Sequence, residues 1–90
     1  MPERRVAVAS RIGLHARPAM LFAQAAAAQP VQVRIARPGG RPVDASSVIW
    51  LLTLDVRHGD EVVLTADGEG ADESLDNLVA MLSQNLDRVV

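Results

Sequence analysis

The chain has 90 residues, of which 49% are hydrophobic and 2% aromatic, and its formal net charge is −2. This length allows one compact domain but not two, so we expect residues 1–90 to form a single domain. Modules that bind nucleic acid usually carry a basic surface and exposed aromatic side chains. The composition provides neither in quantity, which argues against an RNA-binding function.

The sequence contains no cysteine and only two histidines, His15 and His58. The lack of thiols excludes disulfides and thiolate zinc sites, and two imidazoles make a structural metal site unexpected. We therefore expect no metal and no other cofactor. No apolar run approaches the roughly 18 residues of a membrane span, and the first residues lack the apolar core of a signal peptide. We expect a cytoplasmic protein without membrane insertion.

The first two predicted elements are a strand and a helix. Alternation around Val6 and Val8 predicts a strand at residues 5–9. A helix is expected from residue 16 to residue 29, where Pro30 restricts the backbone of the preceding residue. Four apolar side chains recur on one face of this helix, which should face the core: Ala19, Phe22, Ala23 and Ala26.

The middle of the chain predicts a hairpin and a short helix. Val31, Val33 and Ile35 alternate with polar residues and predict a second strand. The glycine-rich segment 38–41 is typical of a turn, and a third strand at residues 41–45 should return antiparallel. Two serines then precede an apolar block that begins at residue 48 and predicts a helix ending near residue 55.

The last elements are a strand and a third helix. Residues 61–66 predict a strand with Val62 and Leu64 facing inward, after a turn at residues 57–60. A helix with acidic residues in its first turn should follow, and its apolar stripe consists of Leu75, Leu78, Val79, Leu82 and Leu86. The order β-α-β-β-α-β-α predicts an α+β fold, an open-faced two-layer sandwich with three helices on one face of a four-stranded antiparallel sheet.

The candidate site is at the start of the first helix, where a loop leads into His15. The N–H groups of Ala16, Arg17 and Ala19 are expected to be free donors there, and a helix N-terminus attracts anions. The Arg17 guanidinium can add donors for a phosphoryl group. Gly13 permits a close approach of the loop. The positive helix end should also favour a neutral, nucleophilic imidazole.

An isolated histidine and arginine at a helix start are, however, more often a cap and a solvated charge. A ring turned away from these amides, sealed in the interior or paired with a carboxylate would argue against phosphoryl chemistry.

The complete heptapeptide from Gly13 to Ala19 resembles the active-site motif of HPr, the histidine-containing phosphocarrier of the bacterial phosphoenolpyruvate-dependent sugar phosphotransferase system. The resemblance extends over essentially the whole chain, since that family has the same order of elements at about this length. It implies that His15 accepts the phosphoryl group, as a pros-phosphohistidine, and that Arg17 and the backbone at Ala16 and Arg17 stabilise it. It also implies enzyme I as donor and enzyme IIA domains as acceptors, for a carrier that is monomeric and not itself an enzyme.

The resemblance also suggests a second site and a docking face. Ser47 corresponds to the family's regulatory serine, which a dedicated kinase phosphorylates in some bacteria, although it could be only a helix cap, with Ser46 an ordinary neighbour. Val48, Ile49 and Leu52 are expected to remain partly exposed on the second helix, and an exposed apolar patch commonly marks a protein contact. In the family, such positions form the docking surface.

Several positions depart from the family pattern. Many relatives have a small polar residue in place of Ile12, some have lysines in place of Gln24, Ala27 and Trp50, and a glycine is common in place of Asp55. A contact face that is more apolar and less basic is therefore expected. A regulatory protein of the same fold, which controls a transcription regulator or a kinase without sugar transport, remains the alternative.

Overall fold

The computed structural model describes residues 2–11 and 13–84. Ile12 and Leu86, which entered the predictions above, lie outside the described residues. Seven elements occur in the predicted order, with these bounds: β1 Glu3–Ala7, α1 Ala16–Ala27, β2 Val33–Ala36, β3 Val43–Asp44, α2 Val48–Thr53, β4 Glu61–Ala66 and α3 Ala71–Leu82. None of these helices has the length and apolar character needed to cross a bilayer.

The four strands form one antiparallel sheet in the order β1-β4-β2-β3. The predicted fold class, an open-faced sandwich of this sheet and three helices, is confirmed. β4 lies in the interior of the sheet between β1 and β2, and its inward side chains Val62 and Leu64 are fully buried. The periodicity of the sequence predicts these inward positions but contains no information on strand order.

Three strands differ in extent from the prediction. β2 begins at Val33, so that Val31 lies outside it. β1 begins at Glu3 because its pairing with β4 starts there, opposite Thr65. Val8 lies beyond the strand but is buried as expected, and its N–H still donates to the Asp60 carbonyl at 2.9 Å. β3 is only two residues long, and Pro42 just before it has no N–H to contribute to a ladder.

The core lies between the sheet and the helices. The predicted face of α1 is buried in full, with Phe22 and Ala19 completely inaccessible. From α3, Leu75, Leu78 and Leu82 are buried, and Val79 packs against the core from its edge. Leu51 is the buried residue of α2. Packing of α1 and α3 against this common core fixes where the first turn of α1 lies.

Candidate functional site

His15 is the N-cap residue of α1. Its backbone is extended, with φ −125° and ψ 159°, so the chain changes direction at this residue before the helix begins. Its side chain is 37% exposed. The ring is therefore neither sealed in the core nor fully solvated, and another protein can reach it.

The first turn of α1 has fewer free amides than the sequence predicts. An N-cap carbonyl accepts the first helical hydrogen bond, so the N–H of Ala19 is directed to His15 and is not a spare donor. Pro18 has no N–H. Ala16 and Arg17 retain amides without a carbonyl partner inside the helix, and the His15 side chain does not cap them. Two donors at the positive helix end thus remain open to an anion.

A close approach of two loops fixes the position of His15. Gly13 has φ +70°, and a Cβ at that position would overlap the carbonyl group of Val56 and the Cα of Arg57. The N–H of Leu14 donates to the Val56 carbonyl at 3.0 Å. The predicted reason for Gly13, a close approach of the loop, is confirmed. The close approach joins the segment before His15 to the segment after α2.

This approach brings a carboxylate to the ring, which the sequence does not indicate. Nε2 of His15 lies 3.4 Å from Oδ1 of Asp55. Asp55 has φ +51°, in the left-handed region that a glycine adopts without strain and that aspartate tolerates better than most residues. A glycine would adopt this backbone without strain, and the aspartate keeps the same backbone while adding a charge.

A carboxylate partner is one of the arrangements that we expect to argue against a nucleophilic ring. Two observations limit the conflict. Both side chains are partly exposed, and an ion pair at such a site contributes only about 0–1 kcal/mol. The printed contact is also made by Nε2, and a neutral imidazole that carries its proton on Nε2 keeps a lone pair on Nδ1. The role of His15 as the acceptor remains a prediction.

Arginine side chains hold the segment after α2 in place. The Arg37 guanidinium donates to the carbonyls of Leu54 at 2.8 Å and Asp55 at 2.5 Å. It also lies 3.4 Å from a carboxylate oxygen of Asp60. That carboxylate accepts the Arg57 backbone N–H at 3.0 Å, and this bond, followed by the charge of Arg37, lowers the pKa of Asp60 below its usual range. The turn that follows Asp55 in the sequence is therefore held in place by these contacts.

The other side chains to consider at this site are those of Arg17, a predicted site residue, and His58, the second histidine of the chain. Arg17 is exposed, and within residues 2–11 and 13–84 it forms no ion pair, so its guanidinium is available to an incoming anion. His58 is exposed in the turn between Arg57 and Asp60. The structure therefore does not bring the second imidazole into the site.

Ser46 and Ser47 have different structural roles. Ser47 is the N-cap of α2, and its Oγ accepts the Trp50 N–H at 3.4 Å, which confirms the predicted cap. The Ser46 N–H and hydroxyl donate to Asp44 at 2.9 and 2.7 Å. Both hydrogen bonds lower the pKa of Asp44 below its usual range, and the bond from the hydroxyl has the larger effect. Ser46 therefore shapes the turn before α2, and whether Ser47 is phosphorylated stays a prediction.

The exposed apolar side chains concentrate on α2. The predicted members are exposed by 36% at Val48, 74% at Ile49 and 42% at Leu52. Trp50 on the same helix is also exposed. Met20 is exposed too, and it lies on α1, the helix that packs against α2. Met20 is absent from the sequence prediction, although its position outside the buried stripe of α1 could have indicated its exposure. The apolar surface of Met20, Val48, Ile49, Trp50 and Leu52 is here called the α2 surface.

Comparison with known proteins identifies the family. A family model described as "PTS HPr component phosphorylation site" matches residues 2–84. The phosphocarrier protein HPr of Streptomyces coelicolor is 44% identical over 89 residues, covering 99% of this chain and 96% of that protein. The HPr-like protein Crh of Bacillus subtilis is 37% identical over 86 residues, covering 96% of this chain and 100% of the relative.

Solved structures agree with this assignment. The crystal structure of HPr-C-His from Thermoanaerobacter tengcongensis matches with a TM-score of 0.89 and 30% identity, covering 100% of both chains. The chain belongs to the HPr family of phosphocarrier proteins of the phosphotransferase system. The relatives include proteins named HPr and one named Crh, so membership establishes the carrier fold but does not separate transport from regulation.

Proposed function

We propose that this protein carries a phosphoryl group on His15, accepting it from enzyme I, with phosphoenolpyruvate as the ultimate source, and passing it to sugar-specific enzyme IIA domains. The observation that supports this most directly is the partly exposed His15 ring at the N-cap of α1, next to the open amides of Ala16 and Arg17. In this proposal the group is held as a pros-phosphohistidine on Nδ1. The protein acts as a cytoplasmic, monomeric, single-domain carrier and is not itself an enzyme.

In this proposal the site holds the phosphoryl group weakly enough for a carrier to pass it on. Interactions at a helix end contribute about 0.3–1 kcal/mol, and about 2 kcal/mol when they are partly buried. Each additional 1.4 kcal/mol or so of product stabilisation would make onward transfer about tenfold less favourable. Two amides and the exposed Arg17 guanidinium stabilise the new dianion without retaining it.

The proposed donor and acceptors dock on the α2 surface. Its apolar side chains adjoin the helix that carries His15, since α1 packs against α2. Unlike a basic face, an apolar face gains its affinity from desolvation and depends little on salt. The exposed Gln24 and Ala27, where some relatives have lysines, fit this less basic character.

Replacing Ile49 with serine is expected to raise the KM of enzyme I for this carrier about tenfold, the usual effect of removing a central apolar contact. Stability should change little because the side chain is 74% exposed. Ala80→Ser, at an exposed position of α3, is the control and should leave the KM unchanged. Equal KM values for both variants would exclude Ile49 from the docking surface.

A second candidate function is regulatory, in which the phosphorylation state controls a transcription regulator or a kinase and no sugar acceptor is involved. The similarity to the HPr-like protein Crh is the reason for considering a regulatory function. In this case Ser47 would be phosphorylated by a serine kinase. A phosphate at the N-cap of α2 is tolerated electrostatically, and it would place negative charge beside the α2 surface.

The test is phosphotransfer with enzyme I of the same cell and phosphoenolpyruvate. We expect the mass to increase by one phosphoryl group, located at His15 by peptide mapping and lost in acid but not in alkali. Addition of enzyme IIA domains should discharge the carrier. Failure to accept the group would refute the carrier proposal. A stable phosphohistidine that no enzyme IIA discharges would instead favour the regulatory function.

A further inference from the structure

Nε2 of the His15 ring lies 3.4 Å from Oδ1 of Asp55. The pair is an ion-pair contact and not a formed hydrogen bond, but the hydrogen bonds of catalytic groups often tighten only when the partner or substrate is bound. The second carboxylate oxygen, Oδ2, lies 3.3 Å from the Arg57 guanidinium. The two oxygens are thus divided between one imidazole and one cation.

Three contacts fix the backbone that carries Asp55. The Arg37 guanidinium binds the carbonyl of Asp55 and that of the residue before it. The N–H of Leu14, next to His15, donates to the carbonyl of Val56, next to Asp55. Asp55 itself has the left-handed φ of +51°. The carboxylate therefore belongs to a segment that is anchored to the loop of His15 and is not a freely moving surface charge.

We propose that Asp55 is a positioning residue for phosphoryl transfer: its carboxylate accepts Nε2–H of His15 and so keeps the lone pair on Nδ1. The hydrogen bond of one ring nitrogen decides which tautomer a histidine adopts, and an aspartate selects the tautomer in the same way in serine-protease triads. This inference rests on the proposed function, since it concerns how His15 accepts and releases the group.

The tautomer with its proton on Nε2 accounts for the proton in both phosphoryl transfers. In the first, the Nδ1 lone pair attacks phosphorus, the bond from phosphorus to the donor's leaving atom breaks, and its electron pair stays with the donor. The ring then carries phosphorus on Nδ1 and a proton on Nε2. In the second, the acceptor's nucleophile attacks phosphorus and the N–P electron pair returns to Nδ1. The proton stays on Nε2 throughout, facing the same carboxylate.

The test compares Asp55→Asn and Asp55→Gly with the wild-type protein, because both residues tolerate the left-handed backbone. The ¹⁵N chemical shifts of the His15 ring, recorded at a pH at which the ring is neutral, report the tautomer. We expect the wild-type ring to be protonated on Nε2, with a measurable rise of the Nδ1–H form in both variants. Phosphorylation by enzyme I should slow about two- to fivefold, as is usual for an exposed charge pair.

Glu69→Gln is the matched control, since it removes one exposed carboxylate from the turn before α3. That turn packs near Pro30, at the far end of α1 from His15. The control should change neither the ring shifts nor the rate, and amide spectra verify that all variants are folded. An unchanged tautomer or an unchanged rate in the Asp55 variants overturns the inference. If the wild-type protein is never phosphorylated on His15, the proposed function fails, and the ring shifts still decide whether Asp55 selects the tautomer.

Discussion

Replacing His15 with alanine is expected to abolish phosphoryl acceptance, with a loss of at least about a thousandfold, the order found when a nucleophile is deleted. No arginine or backbone amide of the site can form the covalent bond in its place. Stability should change little, because the His15 side chain makes no capping hydrogen bond and is partly exposed. The measurement is incorporation of labelled phosphate from phosphoenolpyruvate through enzyme I.

His58→Ala is the matched control for this loss. It removes the other histidine of the chain, which is exposed in the turn before β4, and should retain the full label. Label that persists at the wild-type level in His15→Ala would mean that another residue is the acceptor. Label that disappears in both variants would point to a general disturbance of the turn at residues 57–60.

Replacing Gly13 with alanine is expected to destabilise the fold by about 2–5 kcal/mol. The left-handed backbone, at φ +70°, costs an L residue about 1–2 kcal/mol. The added Cβ would also overlap the backbone of Val56 and Arg57, so the two loops would have to move apart, and steric strain of this kind adds a further 1–3 kcal/mol or so. Urea unfolding followed by circular dichroism measures the change in the free energy of unfolding.

Gly59→Ala separates these two contributions. Gly59 has φ +86° but no heavy atom within 4 Å of an added Cβ, so only the backbone term, about 1–2 kcal/mol, applies. Equal losses for the two variants would show that the loops do not meet closely at Gly13. Phosphoryl acceptance should also fall more in Gly13→Ala, because the displaced loop carries His15 away from the segment of Asp55.

The positions that could be predicted from the sequence are those governed by periodicity and by turn chemistry. Alternation identified Val62 and Leu64 as inward residues of β4, and helical spacing identified the buried face of α1 around Phe22. The serine before an apolar block identified the cap at Ser47. Each signal is local, since it depends on residues within one or two turns of each other.

Predictions that depended on pairing or packing were less exact. The predicted start of β1 is two residues too late because the true start depends on where β4 offers partners, about 60 positions further along the chain. The predicted β3 is too long, since only two of its residues pair with β2. Met20 is absent from the predicted surface because the pattern within α1 indicates that this residue is exposed but not that α1 packs beside α2.

The sequence by itself determined the class of fold, the order of its elements and the candidate acceptor, because strand alternation, helical spacing and the segment from Gly13 to Ala19 are all contained in short stretches. Only the tertiary structure decided what surrounds the acceptor. It placed the carboxylate of Asp55 at Nε2 of His15. These two residues, 40 positions apart in the sequence, come together through the contact between two loops, and such a contact depends on the packing of the whole core.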